Sequence, residues 1–219
     1  MDQEANLLVE GLLRDSEKNS QDNTKSPQSS GTSPLLTLPN PRIDSACMPA
    51  RHKAMKFADA TGDEWKAMFE SAKVLIGNGA MVVLLGTRGS GKTQLGCMLL
   101  RYAAIKMDKS VLYTKAMNVF MEIKGSYSDK DMSEKQVVSN FCKPQVLLID
   151  ALEEKSESAW ENRILSHIID MRYDAKKDTI LISNDSKSKF AESSGASIVD
   201  RVFETGNVFE CNWDSFRRK

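Results

Sequence analysis

The chain has 219 residues, room for one well-buried domain and a modest appendage. Its 30 Lys and Arg are matched by 30 Asp and Glu, which excludes a global basic field; any nucleic-acid binding has to come from a local patch. No apolar run approaches a membrane span and the acidic start lacks a signal-peptide pattern, so a cytoplasmic protein with no membrane partner is expected.

Residues 1–18 predict a short helix. Ala5, Leu8, Val9 and Leu12 share one stripe, with Asp2, Glu4, Glu10, Asp15 and Glu17 elsewhere. A helix this short is not stable alone in water. Its stripe has nothing of its own to cover, which suggests a docking element for a partner groove; a frayed tail is the competing reading. Residues 19–46 are rich in Ser, Asn, Gln, Thr and Pro and read as a flexible linker. The globular domain is expected over 47–219. Phe57, Trp65, Met68, Phe69 and Ala72 suggest a helix packed on it.

Residues 81–85 form an apolar run that reads as a buried parallel strand. Gly86-Thr87-Arg88-Gly89-Ser90-Gly91-Lys92-Thr93 follows and fits G-x-x-x-x-G-K-[ST], the Walker A phosphate-binding loop. A helix is predicted over 94–106 from Leu95, Met98, Leu99, Tyr102 and Ala103. Strand, glycine loop and helix are what phosphate binding needs. Glycines let the backbone curl with its N–H groups inward, and the helix start adds free donors and a positive dipole end. Residues Gly86 through Gln94 are the candidate ATP site. Lys92 can reach the β- and γ-phosphates, and the Thr93 hydroxyl can ligate Mg²⁺.

Residues 110–114 are a second strand, with helical patterns over 116–124 and 132–142. The run 145–150 is a third strand ending in Asp150. An acid at the carboxyl end of a parallel strand lies where ligands bind, and as a Walker B residue Asp150 can hold Mg²⁺. An amphipathic helix spans 158–173, carrying Trp160, Ile164, Leu165, Ile168, Ile169 and Tyr173. The fourth strand, 179–183, leads into Asn184, which either orients a water near the γ-phosphate or simply forms a turn with Asp185. Residues 195–204 look helical and 208–211 make a last strand. Alternating apolar strands and helices mean an α/β domain around a parallel five-stranded sheet flanked by helices. Cys47, Cys97, Cys142 and Cys211 form no C-x-x-C pair and read as reduced thiols rather than a zinc site.

Several segments together carry a family resemblance. They are Met48-Pro49-Ala50-Arg51-His52, Ile76-Gly77-Asn78-Gly79, the phosphate loop, Leu147-Leu148-Ile149-Asp150 and Ile182-Ser183-Asn184. The most specific are Ile198-Val199-Asp200-Arg201-Val202 and Asn212-Trp213-Asp214-Ser215-Phe216-Arg217. The chain resembles the DnaC/IstB-like AAA+ group of P-loop NTPases, and most of all bacterial and phage DnaC-type helicase loaders.

The resemblance implies an AAA+ core without a C-terminal helical lid. It implies an ATP-bound loader that assembles with a DnaB-like replicative helicase and places it on single-stranded DNA. By the same resemblance Asn184 stands where sensor 1 stands, and Arg201 where an arginine finger reaches the γ-phosphate of a neighbouring subunit, hence self-association. The catalytic set so implied is Lys92, Asp150, Asn184 and Arg201. On its chemistry alone Arg201 could equally form a surface ion pair with Asp200 or Glu204.

The chain departs from the family at Ala151, where an acidic residue usually follows the Walker B Asp. Glu153 and Glu154 are expected to point elsewhere unless the loop bulges, so hydrolysis is expected to be weak. Gly195-Ala196-Ser197 stands where the family usually has Gly-Glu-Arg. Lys106, Lys109, Lys115 and Lys124 could contact DNA phosphates or be solvated helix faces. Two further readings compete: a transposition-helper ATPase, and a metabolic kinase, which would leave Arg201 and the Trp213 segment without a role.

Overall fold

Strands with no polar face must be covered on both sides. The computed structural model describes residues 41–53, 57, 62–129, 131–156 and 158–216. In it five short strands pair as one parallel sheet: β1 (Met81–Gly86), β2 (Val111–Lys115), β3 (Val146–Asp150), β4 (Asp178–Ile182) and β5 (Asn207–Cys211). Their order is β2-β3-β4-β1-β5. Every residue of β3 and β4 is buried, as are the first five of β1.

Successive side chains of each strand point to opposite faces, and two apolar layers result. On one face Val82, Leu84, Leu148, Ile180 and Ile182 pack against α3 (Asp63–Lys73) and α4 (Lys92–Lys106). The short helices α1 (Pro41–Asp44) and α2 (Ala50–Lys53) adjoin α4. On the other face Met81, Val83, Leu85, Leu147, Ile149 and Leu181 meet a second group of helices. These are α5 (Ala116–Ser126), α6 (Glu134–Cys142), α7 (Ala159–Asp174), α8 (Lys187–Ser194) and α9 (Ala196–Thr205). The result is the three-layer α/β P-loop fold of the AAA+ type. Gly96 lets α4 settle close to the sheet: a Cβ there would stand 2.5 Å from Leu148 Cδ1 and 2.9 Å from Ile182 Cδ1.

The elements form where local chemistry supports them. Ser133 and Gln136 close a reciprocal capping box at the start of α6, and Ser158 caps α7 by accepting from the Glu161 N–H. The stretch 187–194 has a weak apolar pattern, with Phe190 its buried residue, and composition does not predict it; Ser186 caps it as α8. Gly195, with φ of 83°, then turns the chain into α9.

One domain boundary needs correction. Residues 41–46 belong to the domain rather than the linker. Ile43 and Ala46 are buried, and the Tyr113 N–H donates to the Ala46 carbonyl at 2.8 Å. Two apolar side chains among polar neighbours were enough to anchor this stretch. The predicted 1–18 helix, the linker up to residue 40, and Arg217 lie outside the described residues. Among the described residues no helix is long and apolar enough to cross a membrane.

The amino-terminal edge of the sheet is fastened by two buried charges. Asp178, at the start of β4, accepts from the N–H groups of Gly77, Gly79 and Ala80 at 2.9–3.0 Å and pairs with Lys109 Nζ at 3.1 Å. Arg172 is fully buried and donates to Thr179 Oγ1 and to the carbonyls of Phe141, Pro144 and Asp178. Burial pushes its guanidinium down to about 10, so it remains charged at neutral pH. Lys109 is therefore a structural cation at this edge. Asp178→Ala should cost about 3–5 kcal/mol, because it leaves buried donors and the Lys109 ammonium without their acceptor. Urea denaturation would read this as a lowered midpoint.

Candidate functional site

The carboxyl ends of β1, β3 and β4 open into a cleft of about 550 Å³. Its lining includes Arg51, His52, Arg88, Gly89, Lys92, Thr93, Gln94, Lys115, Asp150, Glu153, Asn184 and Phe216. Polar groups dominate it, with Arg51, Arg88, Lys92 and Lys115 as cations and Asp150, Glu153 and Glu154 as acids in one lining.

The loop after β1 takes its shape from glycines at positive φ, where a side chain would be strained. Gly86 has φ of 131°, and a Cβ there would lie 2.5 Å from the Cys211 carbonyl oxygen. Gly91 has φ of 84° and leads directly into α4 at Lys92. Three distant N–H groups hold the outside of the loop. Phe216 N–H donates to the Gly89 carbonyl at 3.0 Å, Trp213 Nε1–H to Ser90 at 2.8 Å and Trp65 Nε1–H to Gly91 at 3.2 Å. With these carbonyls engaged from outside, the loop amides and the first turn of α4 are the donors available to a phosphate.

Lys92 is 5% exposed, and its ammonium bridges the Gly86 and Thr87 carbonyls at 2.7 and 2.8 Å. Ser90 is buried and turns its hydroxyl onto the Thr87 carbonyl. Gly86, Thr87 and Ser90 thus shape the loop, while Arg88, Gly89, Gly91, Lys92, Thr93 and Gln94 line the cleft.

Asp150 stands opposite. Its Oδ2 accepts from Thr93 Oγ1 and Tyr113 Oη, each at 2.9 Å, and its Oδ1 from the Ala151 N–H at 2.9 Å. A hydroxyl and a carboxylate in contact at the edge of a phosphate loop are the oxygen donors a hard divalent cation takes, so this pair fits Mg²⁺. Burial, then the Asp150 charge, pushes the Tyr113 phenol far above its ordinary value, which keeps it a donor to Asp150. From the sequence Tyr113 reads only as a strand residue.

The loop after Asp150 does bulge. Ala151 adopts the left-handed conformation, φ 59°, and a 3₁₀ turn over Leu152–Glu154 buries Leu152. Glu153 comes back towards β4. It accepts from the Asn184 backbone N–H at 3.0 Å, from the Asn184 side-chain amide, and from Ser183 Oγ at 3.4 Å. Asn184 therefore lies in the cleft with its amide committed to a carboxylate.

Arg201 is elsewhere. It sits on α9, on the opposite face of the sheet from α4, and is absent from the cleft lining. Its guanidinium pairs with Asp170 at 3.1 Å, donates to the Ser197 carbonyl at 2.9 Å and lies 5.0 Å from the Tyr173 ring centre. The ion pair is made to α7, not to Asp200 or Glu204. The Tyr173 hydroxyl takes Glu204 instead.

Among the described residues no group of His, Cys, Asp and Glu could hold a metal by itself. Cys97 lies on α4, and burial, reinforced by Asp150, raises its thiol to about 12; burial raises Cys211 to about 11. Cys47 is exposed. Both buried thiols are therefore protonated at pH 8 and poor nucleophiles. Brief maleimide labelling at that pH should modify Cys47 and leave Cys97 and Cys211 untouched, as read by peptide mass spectrometry.

A family model described as IstB-like ATP binding protein matches residues 46–219. The replicative helicase loader DnaC of Escherichia coli (strain K12) is 27% identical over 147 residues, covering 65% of this chain and 58% of that protein. DnaC of Buchnera aphidicola subsp. Baizongia pistaciae (strain Bp) is 28% identical over 145 residues, with the same coverage. The match thus spans less than two thirds of either relative's length. A crystal structure of the DnaC helicase loader superposes with a TM-score of 0.64 at 18% identity, over 74% of this chain and 99% of that one. A crystal structure of DnaI gives 0.59 at 20% identity, over 75% and 94%. At such identities the superpositions speak for the fold.

Proposed function

The chain belongs to the IstB-like ATP-binding protein family, and from that premise we propose that it is an ATP-binding loader delivering a replicative DNA helicase to single-stranded DNA, with slow hydrolysis. The observation that carries the nucleotide half is the contact of Thr93 with Asp150 beside the Lys92 ammonium, inside one cleft. Thr93 and Asp150 would hold Mg²⁺, which neutralises phosphate charge. Lys92 would exchange its two carbonyl partners for phosphate oxygens, and Arg88 and Gln94 border the same space. The loader half is supported by relatives named as replicative helicase loaders.

Within this reading Arg201 serves a second copy of the chain, since its own cleft lies across the sheet. Removing it from Asp170 exposes a fixed guanidinium of the kind that stabilises phosphate charge in trans. Residues 1–18 would dock on the helicase, tethered by residues 19–40. Single-stranded DNA would be held by phosphate contacts, with Lys115 at the cleft a better candidate than Lys109, which Asp178 occupies. A transposition-helper ATPase is the second reading, since the family description names ATP binding and no partner. Co-purification with a replicative helicase, against a transposase, decides between the two.

Lys92→Ala should weaken ATP binding about 10–100-fold, the value of a charge-assisted contact to phosphate. Titration with a fluorescent ATP analogue measures it, and unchanged affinity would remove the phosphate-loop assignment. Arg201→Ala should leave that affinity alone while any stimulation of hydrolysis by helicase and DNA disappears.

A further inference from the structure

Position 151 holds a methyl group, yet Glu153 and Glu154 both line the cleft beside Asp150, and only Glu153 is hydrogen-bonded to the end of β4. The fold brings it there by a route the residue spacing hides. Ala151 takes a left-handed conformation that residues with a Cβ rarely adopt. Such a conformation persists only where its surroundings hold it. Here the Ala151 N–H is tied to Asp150 Oδ1, its carbonyl accepts from the Glu154 N–H at 3.0 Å, and Leu152 is buried. The turn reverses the chain, and Glu153 reaches the end of β4, the strand that lies between β3 and β1.

We propose, resting on the ATP-binding reading above, that Glu153 is the catalytic carboxylate of this site, held in reserve by Asn184. As the structure stands the carboxylate is engaged by two N–H donors of Asn184, while the single Ser183 hydroxyl proton is shared between Asp185 at 2.9 Å and Glu153 at 3.4 Å. With both oxygens so engaged, Glu153 is turned to the end of β4 rather than to a water in the cleft. A γ-phosphate entering the cleft supplies oxygens that compete for the Asn184 side-chain amide. Losing that donor frees the Glu153 carboxylate to turn to the attacking water. The attacking water then bonds through its oxygen to the γ-phosphorus, and the bond from that phosphorus to the β,γ-bridging oxygen breaks, releasing ADP. The water proton passes to a Glu153 carboxylate oxygen and from there to the departing phosphate, so no other reactant is needed. On this proposal turnover is slow because the carboxylate is present but occupied, not because the site is inactive.

The test uses the full chain with Mg²⁺ and ATP, alone and with replicative helicase and single-stranded DNA. Wild type, Glu153→Gln and Glu154→Gln are compared for ATP affinity, for single-turnover hydrolysis and for the nucleotide recovered from the protein. Gln keeps the shape and one of the two accepting oxygens, and the turn itself is held by the Ala151 and Glu154 backbone contacts, which the substitution leaves in place. Glu153→Gln should bind ATP as wild type does, hydrolyse it about 10²–10⁴-fold more slowly, and yield ATP where wild type yields ADP. Independently of turnover, hydrogen exchange at the Asn184 amide of wild type should quicken when a non-hydrolysable ATP analogue is added. Three results overturn the proposal: Glu153→Gln hydrolysing at the wild-type rate, Glu154→Gln being the variant that fails, or wild type binding ATP but never hydrolysing it. Failure of wild type to bind ATP at all is separately visible in the affinity measurement and overturns the parent reading as well.

Discussion

The buried carboxylate of Asp178 is the fixed point of this structure. Taking a charge out of water is costly unless it is paired and hydrogen-bonded, and Asp178 meets both conditions with three backbone N–H groups and Lys109. Those N–H groups belong to the turn that leads into β1, so the carboxylate fixes how β1 enters the sheet beside β4. Met81 then pairs with Thr179 and Leu84 with Ile182. In a parallel sheet a slip of one residue would swap the two faces of a strand. Every placement at the far edge, including Gly86, Asp150 and Asn184, follows from that register.

The far edge works because opposed groups arrive from strands held at fixed spacing. Asp150 ends β3, Asn184 lies two residues past the end of the neighbouring β4, and the phosphate loop rises from the strand beyond. Each functional group is already matched: Lys92 to carbonyls, Asp150 to three donors, Asn184 to Glu153. Such a site exchanges partners rather than acquiring them. Its affinity for a ligand is therefore a difference between two satisfied states, which makes it sensitive to small changes in any one partner.

What could be read from the residues follows a physical division. Continuous apolar runs and helical stripes disclosed the five strands and most helices, because burial imposes its period directly on composition. The phosphate loop and Asp150 were legible because backbone geometry demands glycines, and a strand end delivers its last side chain to the cleft. Tyr113 and Glu153 were not. The first is hidden in a strand whose period says only that it is inside, and the second depends on one alanine taking a left-handed φ, which no residue preference announces. Arg201 was placed by resemblance to act on another copy, and its partner Asp170 lies 31 positions earlier, beyond any local pattern. Residues 41–46 read as linker because Ile43 and Ala46 are few among polar neighbours, yet a small helix needs only those two to settle.

The three N–H donors on the outer side of the phosphate loop have a bearing on how the molecule comes to exist. Two of them, from Trp213 and Phe216, come more than a hundred residues after the carbonyls they engage. β5, which precedes them, must first pair with β1. Joining such distant segments carries a loop-closure entropy that local contacts do not, and contacts of this separation form late. During folding the Gly89 and Ser90 carbonyls stay turned to water until residues 213–216 arrive, while the Gly91 carbonyl has its donor in Trp65, which precedes the loop. The outer brace of the phosphate loop is thus a product of long-range closure, made only once β5 lies against β1, and not of the loop's own residues.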